Sequence, residues 1–253
     1  MSETSDHDVE GERLFARYAH APNALGYCGP SASAVLQRSA CGRPVEPGGV
    51  RRTATQFSGV WPYQVLIGEF VGLDPLSEAV GRAYWTGSDV TDQVDDQRLG
   101  ELLVDRFAAQ AGHYWSHLRA ELLPEVRPTH AFHVLGVYPW TRLLSTGLPE
   151  PLHVLDSCRI RAGRVLDVDE DSMLVEVDTL HHDGLLRIGE PRHERVAWRT
   201  ADGAMAEFTE GDWAAIHWSF ACDRLTSAQA ETLLARSAEQ VVLTNTRLAQ
   251  QGA

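Results

Sequence analysis

The sequence predicts an α+β protein, in which an all-helical N-terminal domain precedes a small β-domain and a closing helix. Three observations predict this order. Apolar residues recur at helical spacing through the first 150 residues, the period changes to two beyond Pro149-Glu-Pro151, and helical spacing returns after Thr226. We therefore place a helical domain at residues 1–150 and a β-domain with its C-terminal helix at residues 151–253.

Composition narrows the class of protein before any motif is read. The chain has 253 residues, of which 43% are hydrophobic and 23% charged, as in soluble globular proteins. A formal net charge of −13 argues against a nucleic-acid partner, because phosphate binding needs a basic surface. No apolar run is long enough to span a bilayer, and the acidic residues 1–10 do not resemble a signal peptide. We expect a cytoplasmic protein with no membrane partner.

Each helix of the first domain is predicted from its own periodicity. Leu14, Phe15, Tyr18 and Ala19 predict a helix that stops near Ala21-Pro-Asn. The next predicted segments are a helix from Pro30 or Ser31 to Ser39, a loop over 41–53 and a buried helix over 57–72 that begins near Pro62. A helix capped by Asp74 is predicted to run to Trp85. A long helix over 95–123, which can break near Gly112, and an apolar segment over 129–145, interrupted by Pro139, complete the predicted domain.

The predicted domain boundary is Pro149-Glu-Pro151, since two prolines this close favour extended, linker-like backbone. Beyond it, residues 164–168 and 172–178 alternate around an acidic turn and predict a β-hairpin. Further short strands are predicted over 185–188, 195–199, 204–208 and 213–220, which together suggest a small barrel or sandwich. Thr226 is predicted to cap a helix over 227–248, with Leu225, Leu233, Leu234, Val241 and Val242 on its inner side.

Cys158, predicted at the start of the first β-strand, and His217, predicted within a later strand, form the first candidate site. A thiolate and an imidazole at a barrel rim suit a transition metal, and Arg159 and Arg161 are expected to lower the pKa of the thiol. The alternative is a half-buried core thiol and a hydrogen-bonded strand histidine. The other two candidate packing thiols are Cys41 and Cys222, and the four scattered cysteines of the chain indicate a reducing compartment.

The helical domain offers two further candidates. His130 and His133 are three residues apart and share a helix face, as do His113 and His117, so the four could converge on one metal; exposed or packed histidines are the alternative. Cys28, in the glycine-bracketed loop Tyr27-Cys28-Gly29-Pro30, lies ahead of a helix and could act as a nucleophile, or belong to a structural turn.

The C-terminal third carries a family resemblance. Cys158, Gly163 and Val165 are followed by an acidic hairpin, then Gly211-Asp-Trp, His217, Phe220-Ala221 and a closing helix. Over residues 155–236 this order resembles the HypC/HupF family of nickel–iron hydrogenase assembly chaperones. The resemblance implies an OB-like barrel, and it implies that Cys158 and His217 hold an iron atom with diatomic ligands. The implied partner is a hydrogenase subunit or a maturation factor.

Two functional hypotheses follow. The first is a HypC-like accessory protein that binds iron through Cys158 and His217 and docks a protein partner, with the helical domain either docking that partner or completing the site. The second is a metal-dependent or cysteine-dependent enzyme centred on His130, His133 and Cys28, with the barrel as a scaffold. The two differ in whether the histidines of the helical domain meet the Cys158 side of the barrel. A protein-interaction module without metal is the third, simpler possibility.

Overall fold

The structure is a computed structural model that describes residues 6–31, 33–107 and 120–251. It is a mixed α+β protein, and the described residues before position 150 form helices and turns without strands, as predicted. The helices of this part are α1 (Asp6–Ala24), α2 (Ala34–Ala40), α3 (Gly49–Ala54), α4 (Trp61–Val71), α5 (Glu78–Trp85), α6 (Asp96–Phe107) and the single turn α7 (His130–Phe132). A π-helical turn, His133–Val137, follows α7 directly. Three 3-10 segments cover Thr91–Gln93, Ala120–Glu125 and Pro139–Thr146.

Several helix boundaries differ from the prediction for local reasons. The predicted loop 41–53 contains the start of α3, and α1 continues through Pro22. The cap of α5 is Ser77, three residues after the predicted cap, because Ser77 accepts the Val80 N–H while Asp74 accepts the Leu76 N–H instead. The predicted long helix is α6 as far as Phe107, and residues 108–119 lie outside the described residues.

The predicted linker is wrong, because the two prolines start a helix. Helix α8 (Pro149–Cys158) carries them in its first turn, where a missing N–H costs no hydrogen bond. Cys158 is therefore the last residue of a helix rather than the start of a strand. Only two residues separate it from strand β1.

The β-domain contains the predicted hairpin of β1 (Arg161–Val168) and β2 (Ser172–Val177). The other strands are β3 (Leu180–His182), β4 (Leu186–Ile188), β5 (Arg192–Ala197), β6 (Arg199–Thr200), β7 (Gly203–Ala204), β8 (Trp213–His217) and β9 (Phe220–Leu225). Five of them pair in the order β1-β2-β5-β9-β8, and β8 pairs with β1, so the sheet closes on itself. The predicted strand over 213–220 is in fact the hairpin β8–β9, which turns at Trp218-Ser219.

The closing helix, α9 (Ser227–Gln251), has the predicted cap. The Thr226 hydroxyl accepts the Gln229 N–H, and the Gln229 side chain accepts the Thr226 N–H. Leu225, Leu233 and Val241 are buried as expected, whereas Val242 is 65% exposed and faces solvent. None of the described helices combines the length and the apolar character that a membrane crossing requires.

The predicted boundary at residue 150 is not a boundary of the apolar core. One buried cluster joins Phe15, Tyr18 and Trp85 of the helical part to Ile160, Ala215 and Leu233 of the C-terminal part. A second cluster fills the interior of the sheet with Val165, Met173, Val175, Val196 and Ile216. The two-domain division stays a prediction, and the site described below lies where the two parts meet.

Candidate metal centre

His217 is the last residue of β8, and its orientation depends on a proline in α1. A helical carbonyl normally accepts the N–H four residues ahead, but Pro22 has none, so the Tyr18 carbonyl is left free. His217 Nδ1 donates to that carbonyl at 2.7 Å. Pro22, at which the sequence predicts the end of the helix, thus frees the carbonyl that orients a ring 199 positions beyond Tyr18 in the chain.

The other nitrogen of His217 faces the interior. With the proton on Nδ1, Nε2 carries a lone pair, and no described group meets it at hydrogen-bond geometry, although the Cys158 backbone lies close by. Burial lowers the pKa of His217 to about 4, against the opposing effect of its backbone contacts. The ring is therefore a neutral, oriented donor, as metal-binding histidines are.

Cys158 is held beside His217 by backbone contacts between α8 and the β8–β9 turn. The Trp218 N–H donates to the Ser157 carbonyl at 2.7 Å, and Arg161 Nη2 donates to the Trp218 carbonyl at 2.9 Å. The end of the helix and the end of the strand are thereby joined, so their terminal residues lie side by side.

The expectation that the neighbouring arginines activate the thiol is wrong. Burial raises the pKa of Cys158 well above its usual value. Arg159 is paired with Asp156 and Asp178, and Arg161 is paired with Glu194 at 2.8 Å. Both guanidinium groups are neutralised by these carboxylates, so the thiol stays protonated unless a metal replaces its proton.

His130 belongs to the helical part of the chain and contacts Cys158 at the end of α8. Its Nε2 lies 3.0 Å from the Cys158 carbonyl oxygen, and its Nδ1 lies 3.1 Å from the hydroxyl of Tyr84, which also donates to the Gly59 carbonyl. Burial, followed by the nearby His217 and His133, lowers the pKa of His130 well below its usual value. If Nε2 binds a metal, the ring proton moves to Nδ1, where the Tyr84 oxygen can accept it.

His133 lies three residues after His130 and begins the π-helical turn that follows α7. Its ring is 6.4 Å from that of His130, and burial lowers its pKa to about 3. Gly59 makes room for this ring, since a Cβ at that position would lie 2.5 Å from His133 Nε2. π-turns are often found at functional sites, and this one contains His133 immediately after the His130 turn.

Cys28 approaches from the loop between α1 and α2. Asn23 holds this loop by donating to the carbonyls of Cys28 and Pro30 at 2.9 and 2.7 Å. Burial raises the pKa of Cys28 to about 12, so the expected activation by a helix start is wrong. The loop is nevertheless more than a turn, because the thiol lines the same cavity as the histidines.

The structure brings the candidate residues from both parts of the chain to one small cavity of about 20 Å³, which is lined by Cys28, His130, His133, Cys158 and His217. Donor atoms of His130, Cys158 and His217 all lie within 4.8 Å of one another. In a tetrahedral site with bonds of about 2.0–2.3 Å, donors are about 3.3–3.8 Å apart. A modest contraction would therefore enclose one ion, and the cavity is just large enough for one water-sized particle.

The donor set fits a borderline transition metal. Two imidazoles and one thiolate suit iron or zinc better than calcium or magnesium, which prefer oxygen. Among the described residues, none donates a hydrogen bond to the buried Nε2 of His217. The residues present therefore fit the ion that the sequence suggested.

Comparison with known proteins identifies a family that spans nearly the whole chain. Residues 7–251 match the family described as "Family of unknown function (DUF6390)". The chain belongs to the DUF6390 family. No curated protein and no solved structure matches this member of the DUF6390 family.

Some residues of this DUF6390 site were not identified from sequence. Trp85 packs its ring 4.9 Å from that of His130, and Tyr84 and the Tyr18 carbonyl hold the two histidines. The one available signal was Pro22 within an otherwise regular helical pattern. The predicted ligands His113 and His117 lie outside the described residues.

The two cysteines assigned to packing are not among the residues that line the cavity. Cys222 is fully buried in β9, and Cys41 is half-buried, with its thiol 3.3 Å from the Thr200 hydroxyl and from the Gly203 carbonyl. Cys41 therefore offers a matched control for substitutions at the site.

Proposed function

We propose that this protein binds one iron atom between His130, Cys158 and His217, and that it acts as a HypC-like accessory protein in the assembly of a metalloenzyme. One observation carries this proposal. His130 belongs to the helical part and Cys158 and His217 to the barrel part, yet their donor atoms lie within 4.8 Å. Such convergence of two imidazoles and a thiol in a buried cavity is typical of a metal site.

The hydrogen-bonding groups around the three residues support metal binding. The Tyr18 carbonyl holds His217 with its free nitrogen inward, and Tyr84 lies where it can accept the Nδ1 proton of His130. Contacts of this kind to metal-binding histidines orient the ring and make it a better donor. Binding would replace the thiol proton of Cys158, and Cys28 is the nearest further thiol that lines the cavity. An iron ion would supply a Lewis-acidic centre with positions left for small ligands.

The proposed partner is a protein, either a hydrogenase subunit or a maturation factor, and the proposed barrel type is the OB-like fold of the HypC/HupF family. The resemblance in the order of Cys158, Gly163, Gly211 and His217 supports both. Burial of Cys158 distinguishes the proposed mode of action from one in which an exposed thiol enters a partner. The metal would be held inside this chain and released when the cavity opens.

The test is a metal analysis of protein purified without oxygen from cells that express the maturation machinery. We expect about one iron atom per chain and infrared bands from bound diatomic ligands, with iron reduced at least about tenfold in His130→Ala, Cys158→Ser and His217→Ala. Cys41→Ser is the matched control and should keep its iron. Wild-type protein that lacks iron and these bands would contradict the proposal.

A metal-dependent enzyme is the second candidate, and the three-residue donor set favours it because catalytic zinc sites keep an open fourth position. His133 and Cys28 would then be the nearby groups. A cavity of about 20 Å³ has no room for an organic substrate beside the ion, which weighs against this alternative. Stoichiometric zinc at the same three residues, with iron absent, would favour it over the accessory role.

A further inference from the structure

The buried cavity has a neighbour that opens to solvent. A polar pocket of about 310 Å³ is lined by residues that include Ser157, Trp218 and four charged residues, the acidic Asp156 and Glu194 and the basic Arg161 and Arg192. Tyr27 lines both this pocket and the inner cavity. Two residues of the pocket, Ser157 and Trp218, directly adjoin the candidate ligands Cys158 and His217 in sequence. Tyr27 therefore lies between the polar pocket and the cavity of the candidate metal centre.

Tyr27, which lines both spaces, packs against Trp218, which lines the polar pocket. Tyr27 and Trp218 are stacked, with ring centroids 4.0 Å apart and an angle of 23° between the planes. Trp218 is 6% exposed and Tyr27 is 42% exposed, so Tyr27 forms the outer layer. His153 contacts Trp218 edge-on at 6.2 Å, so the tryptophan is held between two rings.

The two halves of the stack are anchored differently. The Trp218 backbone is fixed by hydrogen bonds to Ser157 and Arg161, and it has the one positive φ, +58°, of a non-glycine residue in the described ranges. Within the part of the chain that the structure describes, no group accepts a hydrogen bond from its buried Nε1–H. Such a constrained conformation often marks a functional position. Tyr27 instead lies in a turn-rich loop, where its exposed side chain can rotate away without breaking the sheet.

We propose that the Tyr27–Trp218 stack is a gate through which the metal ion passes between the polar pocket and the centre, with Tyr27 as the moving half. This inference rests on the proposed metal site, whose regulation it describes. The polar walls of the outer pocket keep an incoming cation hydrated as far as the stack. Rotation of Tyr27 then gives it access to Cys158 and His217, and closure of the stack returns the centre to a dry environment.

The first test measures the rates of metal exchange with Co²⁺ as the probe. Loading is followed by the thiolate-to-cobalt absorption band, and extraction is followed after addition of a chelator. In Tyr27→Ala we expect both rates to rise about tenfold and the Kd to change less than twofold, because a gate changes the barrier and not the bound state. Tyr27→Phe keeps the stack and should match the wild type. Equal rates in Tyr27→Ala and wild type, or a changed Kd with an unchanged loading rate, would overturn the gate.

The second test needs no metal. Alkylation of Cys158 by iodoacetamide, followed by mass spectrometry of the metal-free protein, should be several-fold faster in Tyr27→Ala than in wild type. Cys222, which is fully buried and is not among the residues that line the cavity, is the internal control and should react equally slowly in both. Faster alkylation in a protein that binds no Co²⁺ would support the access route and contradict the metal site. Unchanged alkylation in a protein that does bind Co²⁺ would contradict the gate alone.

Discussion

Pro22 decides which nitrogen of His217 faces the cavity, although the two residues are far apart in sequence. Because proline has no N–H, the Tyr18 carbonyl is available to the imidazole, and the ring is fixed as the Nδ1–H tautomer. A single missing hydrogen bond in a helix thus becomes an orienting contact for a candidate ligand.

Replacement of Pro22 by alanine tests this role. In a helix interior that change usually stabilises by about 3 kcal/mol, but here the new N–H would compete with His217 for the Tyr18 carbonyl. We expect little gain in the free energy of unfolding and an approximately tenfold loss of metal affinity. Denaturant titration and Co²⁺ titration measure the two. The full stabilisation with unchanged metal affinity would show that the helix does not orient the ring.

Among individual residues, the candidate metal ligands were easier to identify from the sequence than the groups that orient them. Cys158 and His217 stood out through a motif order, and His130 and His133 through their spacing. Tyr18 could not be found, because its contribution is a backbone carbonyl, which every residue has. The pKa expectations for Cys158 and Cys28 were wrong, since burial and the pairing of Arg159 depend on tertiary contacts.

Among the elements, helix α9 braces the segment that carries the histidines. Arg247 forms a buried ion pair with Glu125 and donates to the Leu135 carbonyl at 3.1 Å, while Thr244 donates to Glu125 at 3.2 Å. Arg247 and Glu125 are 5% and 3% exposed. Leu135 lies in the same π-helical turn as His133, so the closing helix helps to fix one wall of the cavity.

Removal of the arginine should show how much this brace contributes. Arg247→Met leaves the Glu125 carboxylate buried without its partner, so we expect the free energy of unfolding to fall by about 3–5 kcal/mol. In the double variant Arg247→Met, Glu125→Leu, most of that loss should be recovered because no charge remains buried. Urea denaturation of the four proteins of this cycle gives both values. A loss below about 0.5 kcal/mol in the single variant would contradict the brace.

Helices and strands were predicted correctly where the local sequence favours a single structure, and wrongly where it is compatible with two. The hairpin of β1 and β2 and the cap at Thr226 were predicted from alternation and from a capping residue. Pro149-Glu-Pro151 suits both a linker and a first helical turn, and the packing of α8 selects the helix. The turn within the predicted strand over 213–220 was missed, because it requires a positive φ at Trp218 and tryptophan rarely adopts that conformation.

For the whole molecule, the buried histidines predict how stability depends on pH in the metal-free protein. Burial lowers the pKa of His133 to about 3 and of His217 to about 4, and that of His130 is also lowered. In the unfolded chain each histidine takes a proton near pH 6.5. Between about pH 6.5 and 4 the unfolded state therefore binds more protons, and stability must fall as the pH falls.

The expected slope, once the pH is well below 6.5, is about 1.4 kcal/mol per pH unit for each such histidine. Denaturant titrations between pH 7 and pH 4.5 measure it. His133→Gln removes one of the three groups and should reduce the slope by about one third. Stability that is independent of pH across this range would mean that the histidines are accessible to solvent in the folded protein.

For the whole chain, the sequence predicts the order of the segments but not the position of the candidate site. The order of helical and β segments was predictable from periodicity, but the position of the site between them was not, because it depends on how α1, α7 and α8 pack against the β8–β9 hairpin. The sequence left open whether His130 lies near Cys158 and His217, and in the structure the donor atoms of the three residues lie within 4.8 Å of one another.

The most direct test of the metal centre is an anomalous-scattering map from crystals of protein purified without oxygen, with data collected on both sides of the iron absorption edge. We expect one peak inside the buried cavity, with His130 Nε2 and His217 Nε2 at about 2.0–2.1 Å and Cys158 Sγ at about 2.3 Å. A cavity without a peak, with His130 Nε2 still hydrogen-bonded to the Cys158 carbonyl and His217 Nε2 bound only to water, would contradict the account.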